Sequence, residues 1–483
     1  MFGENHTVEK VGGTSMSDFR ATEANVFVGS RTGERLYNRI FVVSAYGGIT
    51  DKLLEDKRGG DPGVFEVFRT SDKADDWENE MSEVQTAMLA INDEMFSETP
   101  KLREKADSFI IERLEGARNA LNDLNSLCSF GQFHLGELLN NVREMLAGLG
   151  EAHSAFNTTL MLQDLGVNAR FADLTGWKED DQPTLDERIT NTFKDMDLTR
   201  ELPVATGYAH CAEGLMRTYD RGYSEVTFSK IACITHAREA IIHKEYHLSS
   251  ADPRVVGADN AIPMGRTNYD VADQLSNMGM EAIHPRAARG LRQLDIPLRI
   301  KNTFEPEHEG TVISNDWERD DPRAEIITGR DDIYAIEVFE QDMAGFPGYD
   351  SMIMKELDKY KVRAISKDMN ANSITHYLAR PLKTVKRIVS SLEEALPGAE
   401  VSVRKVAIVS VIASDLADSA LLSLATKALC DEGLPILAMQ HSSRRKDVRF
   451  VVKVEDEHKA IRALHRELVE KKTEKDAVSL AAV

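Results

Sequence analysis

Cysteine is scarce in this chain: four residues (Cys128, Cys211, Cys233 and Cys430), far apart and in no CxxC pair. That excludes a disulfide framework and a CxxC zinc site, and it fits a reducing compartment. An excess of positive charge is also missing. Lys and Arg number 59 against 80 Asp and Glu, a formal net charge of −21. Nucleic-acid backbones and anionic membranes, which need clustered Lys and Arg, are therefore not expected as partners. No apolar run reaches membrane-spanning length, and the opening MFGENHTVEK lacks the charged-then-apolar order of a signal peptide. A cytoplasmic address is expected. A salt-adapted host and ordinary bacterial acidity explain the acidic balance equally well.

Apolar material, by contrast, is ample. With 42% hydrophobic and 29% charged residues in 483, the chain can bury substantial cores, and its length implies about two to four domains. Two short apolar strands open it, His6 to Val11 and Arg39 to Val43, each running into a turn of small residues, Gly12-Gly13-Thr14-Ser15 and Ser44-Ala45-Tyr46-Gly47-Gly48. From about Lys73 to Gly148 the text is charged and helix-periodic, which reads as a helical insertion within about 55–148 whose Met and Leu faces are core packing. A helix from about Glu151 to Gly166 follows, then VNARFAD, LPVATGY, EAII and IPLRIKNTF as strands between helices. This order predicts an α/β domain over 1–330, a mainly parallel sheet sandwiched by helices.

The rhythm then changes. Strand Ile333 to Phe339, helix Tyr349 to Tyr360 and strands Val362 to Ser366 and Ser373 to Ala379 give a β-α-β-β order. It recurs as Val406 to Ile412, a helix over Ser419 to Leu429, Pro435 to His441 and Arg449 to Glu455, with a closing helix over Glu457 to Glu470. Two ferredoxin-like units over 331–400 and 401–472, with a flexible tail at 473–483, are predicted.

Chemistry concentrates at the two strand-end turns. Lys10 at a strand end, Gly12 and Gly13 that let backbone N–H groups approach closely, and hydroxyls opening a helix make an anion cradle, although the GxxxxGK[ST] phosphate loop occurs nowhere. A tight turn with a solvated lysine reads equally well in isolation. The turn SAYGGITD leaves a neighbouring strand, where open parallel sheets place ligands. Arg221, in RTYDRGYSE, suits a bidentate carboxylate grip beside Ser224 and Glu225; a charged surface loop is the plainer alternative. Asp252-Pro253-Arg254 and Lys301-Asn302-Thr303 carry no function by themselves.

Taken together these segments resemble one family. VEKVGGTS is similar to the K-[FY]-G-G-T-S opening of aspartate kinases, VVSAYGGITDKLLE to their V-V-S-A-x-x-x-x-T-[DN]-x-L segment, and ADPR, IHPRA and IKNTFEPEHEGTVIS fall in the family's order. The likeness covers most of 7–54 and 150–314, and the terminal pair resembles the family's regulatory ACT modules. The resemblance implies the amino-acid kinase fold with a helical insertion, and an ATP-dependent, Mg²⁺-assisted phosphorylation of the L-aspartate side-chain carboxylate. It implies that Lys10, Gly12, Gly13 and Ser15 hold the ATP phosphates, with Lys10 the main cation at the transition state, and that Arg254 meets the nucleotide. Ser44, Thr50 and Ser224 would face aspartate, Glu151 would take its amino group, and Arg221 would clamp its α-carboxylate. It further implies an amino-acid effector bound between modules of a homodimer or higher homo-oligomer, around Asp342, Gly345, Phe346 and Gly348, with Asn370 and Asn372 facing.

Two departures stand out. Where the family shows R-G-G-S-D, this chain reads Arg221-Gly222-Tyr223-Ser224-Glu225, so Glu225 replaces the aspartate and a glycine has become Tyr223. The nucleotide motif T-D-x-x-G-V-Y-T reads HKEYHLSS, with His243 and Lys244 for Thr and Asp and Ser249 for Tyr, so adenine and ribose contacts must differ. His243 and His247 read as surface or loop histidines rather than a metal pair. A branch of aspartate kinases associated with ectoine biosynthesis looks similar in these altered motifs. A different amino-acid kinase and a non-catalytic amino-acid-binding regulator are the competing readings.

Overall fold

Five consecutive buried residues make β1 (Thr7–Val11) a strand covered on both faces, as the interior of a parallel sheet requires. In the computed structural model, which describes residues 5–56, 60–71, 74–130, 135–219, 222–280, 283–321, 323–343, 348–416, 419–441 and 443–471, the same burial recurs in β2 (Arg39–Val43) and β4 (Leu202–Thr206). The remaining strands up to residue 315 are β3 (Ala169–Ala172), β5 (Glu239–Lys244), β6 (Arg266–Asn268), β7 (Leu298–Asn302) and β8 (Thr311–Ser314). The chain divides into two units, Met1–His247 with Ile283–Asn315, and Leu248–Ala282 with Asp316–Val483.

In the first unit the strand order is β3-β4-β2-β1-β5-β7-β8, parallel throughout except for β8, which runs antiparallel to β7. β1 is central, and Lys10 stands in register with Val42 on one side and Ile242 on the other. The insertion holds the short helix Val64–Thr70 and long helices, Ala74–Met95, Pro100–Cys128 and the start of Leu135–Asp164. The last of these corrects the expected helix start near Glu151, because it runs unbroken through Gly148 and Gly150. Those glycines serve packing: a Cβ at Gly150 would lie 2.7 Å from the Ala45 Cβ, and one at Gly148 would lie 3.0 Å from the Tyr208 ring.

The second unit holds a six-stranded antiparallel sheet formed by β9 (Ile326–Phe339), β10 (Ser366–Met369), β11 (Ser373–Ala379), β12 (Glu400–Ile412), β13 (Ala438–His441) and β14 (Asp447–Val452), in the order β10-β11-β9-β12-β14-β13. Helices Tyr349–Lys359, Leu382–Ala395, Ser419–Asp431 and Glu457–His465 complete the two ferredoxin-like modules. Two readings change here. The second strand of the first module lies at Ser366–Met369 rather than Val362–Ser366, since the turn carrying Lys361 at φ 51° delays it. Helix Leu382–Ala395 was missed, although Val385, Ile388 and Leu392 give it a buried stripe at helical spacing.

The modules are also less separate than two successive blocks. β9 and β12 pair along their length, from Glu400 opposite Phe339 to Ile412 opposite Ile326, with an irregularity between Val406 and Ile408. The far half of β9 joins one core through Ile336 and Val338, while its start, at Ile327, joins the other with Val409, Phe450 and Leu464. Ala251 and Val256 belong to that second core. The segment from Leu248, expected within the 1–330 domain, therefore groups with the terminal unit.

Candidate active site

The site follows from register. Because β1 and β2 are parallel neighbours with Val11 opposite Val43, their C-terminal turns leave the sheet side by side, where an open α/β sheet forms its crevice. The approach is too close for side chains: a Cβ on Gly13 would lie 2.7 Å from the Ala45 carbonyl oxygen. Ser17 Oγ, accepting from Gly47 N at 2.8 Å and donating to Gly13 O at 3.2 Å, joins the two turns. Ser44 N donates to Val11 O at 3.1 Å, and Ser44 O accepts from Ser154 Oγ at 2.8 Å.

Lys10, 9% exposed, lies with its Nζ 3.7 Å from Glu225 Oε1. Glu225 is held in turn by His284 N, which donates to its other oxygen. Lys10 and the Glu225 that replaces the family's aspartate thus meet, at a distance that leaves the ammonium able to turn to another anion. Gly12 N donates to His243 O at 3.4 Å. Ser15 is fully buried and accepts from Thr303 Oγ1 at 3.0 Å, so its hydroxyl fastens the end of β7 to the cradle. Ser224 is buried beside Gly207, where a Cβ would come 2.8 Å from Val43 O and 3.0 Å from Ser224 Cβ.

Glu151 is 2% exposed. Its Oε1 accepts from the Tyr223 hydroxyl at 2.8 Å, and Oε2 has no hydrogen-bond partner among the described residues. Burial pushes its carboxyl up to about 7, against the Tyr223 hydrogen bond, backbone amides and the charge of Lys10. A buried carboxylate with one open oxygen suits an incoming ammonium group. Thr50, in the short helix Ile49–Leu53, stands near the Tyr223 phenol.

Behind this cluster, Tyr46 of the second turn packs edge-on against His153, 5.3 Å between centroids. His153 Nε2 bonds Asn92 Oδ1 at 2.7 Å, and Asn157 Nδ2 donates to the same oxygen at 2.7 Å. Burial drives the imidazole down to about 3, so it is neutral. The insertion therefore braces the second turn, a contact with no local sequence signal, since Asn92 is 61 residues from His153.

His243 corrects the surface reading of the histidines. It is buried on β5 with Nε2 2.9 Å from Glu9 Oε2, and Glu9 pairs with Arg39 at 2.7 Å. Burial works against the Glu9 charge, yet Arg39 and His243 hold its carboxyl well below the usual range. His247 instead bonds Glu305 at 3.0 Å. Among the described residues no three His, Cys, Asp or Glu side chains form a metal cluster.

Arg221, Gly345 and Phe346 lie outside the described residues. Arg254 belongs to the second unit, exposed, with its guanidinium on Asp252 at 2.7 Å. Gly348, at φ 119°, caps helix Tyr349–Lys359. Asn370 Oδ1 accepts from Asn372 N at 3.0 Å and Ser373 N at 2.9 Å, so it builds the β10–β11 turn. Asp342 is exposed after β9, with its amide 3.5 Å from Glu340 Oε1.

Residues 5–302 match the Amino acid kinase family, and the chain belongs to that family. The fold agrees: Escherichia coli aspartokinase III in complex with lysine and aspartate superposes with a TM-score of 0.72 at 18% identity, covering 97% of this chain and 100% of that one. The same enzyme with aspartate and ADP gives 0.69 at 18%, over 96% and 99%. Within the family the chain is an aspartate kinase. It is 52% identical over 476 residues, 99% of this chain and 100% of the other, to the protein named Aspartate kinase Ask_Ect from Stutzerimonas stutzeri (strain A1501).

Proposed function

We propose that this aspartate kinase transfers the γ-phosphoryl group of MgATP to the side-chain carboxylate of L-aspartate. The observation that carries this is the convergence, at adjoining strand ends, of Lys10 with Glu225 and of Glu151 with one open buried oxygen. An oxygen of the aspartate β-carboxylate attacks the γ-phosphorus, the bond to the β-phosphate bridge breaks, and ADP leaves with that electron pair. No proton has to move, so positioning and charge neutralisation supply the rate. Lys10 is assigned to the transferring phosphoryl group, with Gly12, Gly13 and Ser15 shaping the cradle and Glu225 holding the lysine until phosphate displaces it. Glu151 receives the substrate ammonium, Arg221 the α-carboxylate, and Ser44, Thr50 and Ser224 line the acceptor pocket. Arg254 is assigned to the nucleotide on the family resemblance alone, and Mg²⁺ would enter as the ATP complex.

Supported by the likeness of the altered motifs, the pathway is assigned to the ectoine branch. The terminal modules are read as an amino-acid effector site around Asp342, Gly345, Phe346, Gly348, Asn370 and Asn372 in a cytoplasmic homodimer. The commitment of His243 to Glu9 turns one residue of the altered nucleotide motif away from a nucleotide and favours one competing reading, a regulator that binds amino acids without ATP. Incubation with MgATP and hydroxylamine decides. Aspartate-dependent hydroxamate, absent with glutamate or no acceptor, is expected in low or high salt; a folded protein silent with every acceptor overturns the kinase reading in favour of the regulator.

A further inference from the structure

We propose that Tyr223 is a positioning residue that aims Glu151 at the amino group of the acceptor and so selects α-amino acids over dicarboxylates lacking the amine. The inference rests on the aspartate reading of the site.

The argument begins with a lopsided carboxylate. The Tyr223 hydroxyl occupies Oε1 of Glu151 at 2.8 Å, while Oε2, equally buried, has no partner among the described residues. A carboxylate satisfied on one side only is anchored in rotation and presents its remaining lone pairs in one direction. Tyr223 is itself fixed. It opens helix Tyr223–Ile234 and is 2% exposed. Its ring meets Tyr208 edge-on, 5.7 Å between centroids at 82°. Tyr208 in turn donates to Glu144 Oε2 at 2.8 Å, and Glu144 Oε1 accepts from Arg217 N at 3.1 Å. The phenol cannot swing away without breaking this chain of contacts. Thr50, from the second turn, lies close enough to the phenol to favour its ionised form.

The protonation states are consistent. Burial, with Glu151 beside it, pushes the Tyr223 phenol far up, so it remains a donor at any physiological pH. The groups facing Glu151 are Lys10 from β1, Tyr223 from its helix and Tyr208 beyond it. Of these Lys10 and Tyr223 favour the ionised carboxylate, as do the backbone amides of Ala45 and Glu151, and Tyr223 is the side chain that hydrogen-bonds it. The residue stands where the resembling motif has glycine, so in this chain the second turn of contacts is supplied by a side chain.

Tyr223→Phe keeps the ring and removes one hydroxyl. The expected result is a KM for aspartate raised about tenfold, the scale of one hydrogen bond to a buried charge, with the KM for ATP and kcat at saturating aspartate changed by less than about twofold. The acid limb of kcat/KM for aspartate should move to higher pH. Succinate, which has no amine, should inhibit both proteins equally; equal weakening of aspartate and succinate would show a change of pocket shape and overturn the proposal. In a Glu151→Gln background the second substitution should add nothing, and additive losses likewise overturn it. Should the phenylalanine variant fold poorly, 3,5-difluorotyrosine at position 223, a stronger donor, replaces it: the acid limb then moves to lower pH, and an unmoved limb counts against the proposal. Wild-type protein with no aspartate-dependent turnover would overturn the reading of the site itself; active wild type with unmoved variants overturns only the role of Tyr223.

Discussion

In the proposed mechanism Lys10 and Glu151 divide the work at the level of single residues, and each gives a measurable signature. Lys10→Ala removes the cation that would meet charge developing on the transferring group. It should lower kcat by about a hundredfold or more while circular dichroism and melting stay near wild type; unchanged turnover would remove Lys10 from the chemistry. Glu151 makes the site sensitive to pH. Its carboxyl is pushed up to about 7 by burial, so below that value the free enzyme holds it protonated and the substrate ammonium finds no counter-charge. The KM for aspartate should therefore fall as pH rises through about 7, and Glu151→Gln should abolish the slope along with tight binding. A flat KM in the wild type would place the amino group elsewhere.

The elements matter through how closely they approach. Helix Leu135–Asp164 carries Glu151 past the second turn, and Gly150 lets it pass with only the space of a hydrogen. Gly150→Ala sets two effects against each other. Helix propensity gains about 1 kcal/mol, but the new methyl would lie 2.7 Å from the Ala45 Cβ, and overpacking of this kind costs about 1–3 kcal/mol. The clash should win: a lower Tm, together with a raised KM for aspartate because Ala45 lies between Ser44 and Thr50. A stabilised variant with unchanged kinetics would show that the turn yields freely. Both the cradle and the second turn were legible in the sequence, since strand, glycine pair and hydroxyl are local patterns. The bracing of Tyr46 by His153 and Asn92 was not, because it joins three segments whose spacing carries no period.

For the molecule as a whole, the terminal modules stand out because they share strands. β9 and β12 contribute to both cores, so the two modules should respond as one. Leu392→Ala, in a fully buried position of one core, should cost about 2–5 kcal/mol. Hydrogen exchange should then speed up in β14 (Asp447–Val452) of the other core as well as near the cavity. Acceleration confined to the mutated core would show independent modules.

Periodicity, turn residues and motif order in the sequence determined the parallel sheet, the helical insertion, the terminal β-α-β-β pairs and the family. These are properties of neighbouring residues, and local sterics and burial write them into the text. Only the tertiary structure decided that β9 and β12 run through both terminal cores, that His243 joins Glu9 and Arg39 in the interior, and that Tyr223 fills one oxygen of Glu151 and leaves the other open. Each of those facts is a pairing across tens or hundreds of residues. Such pairings follow from which surfaces bury each other, and a single chain's local pattern does not record them.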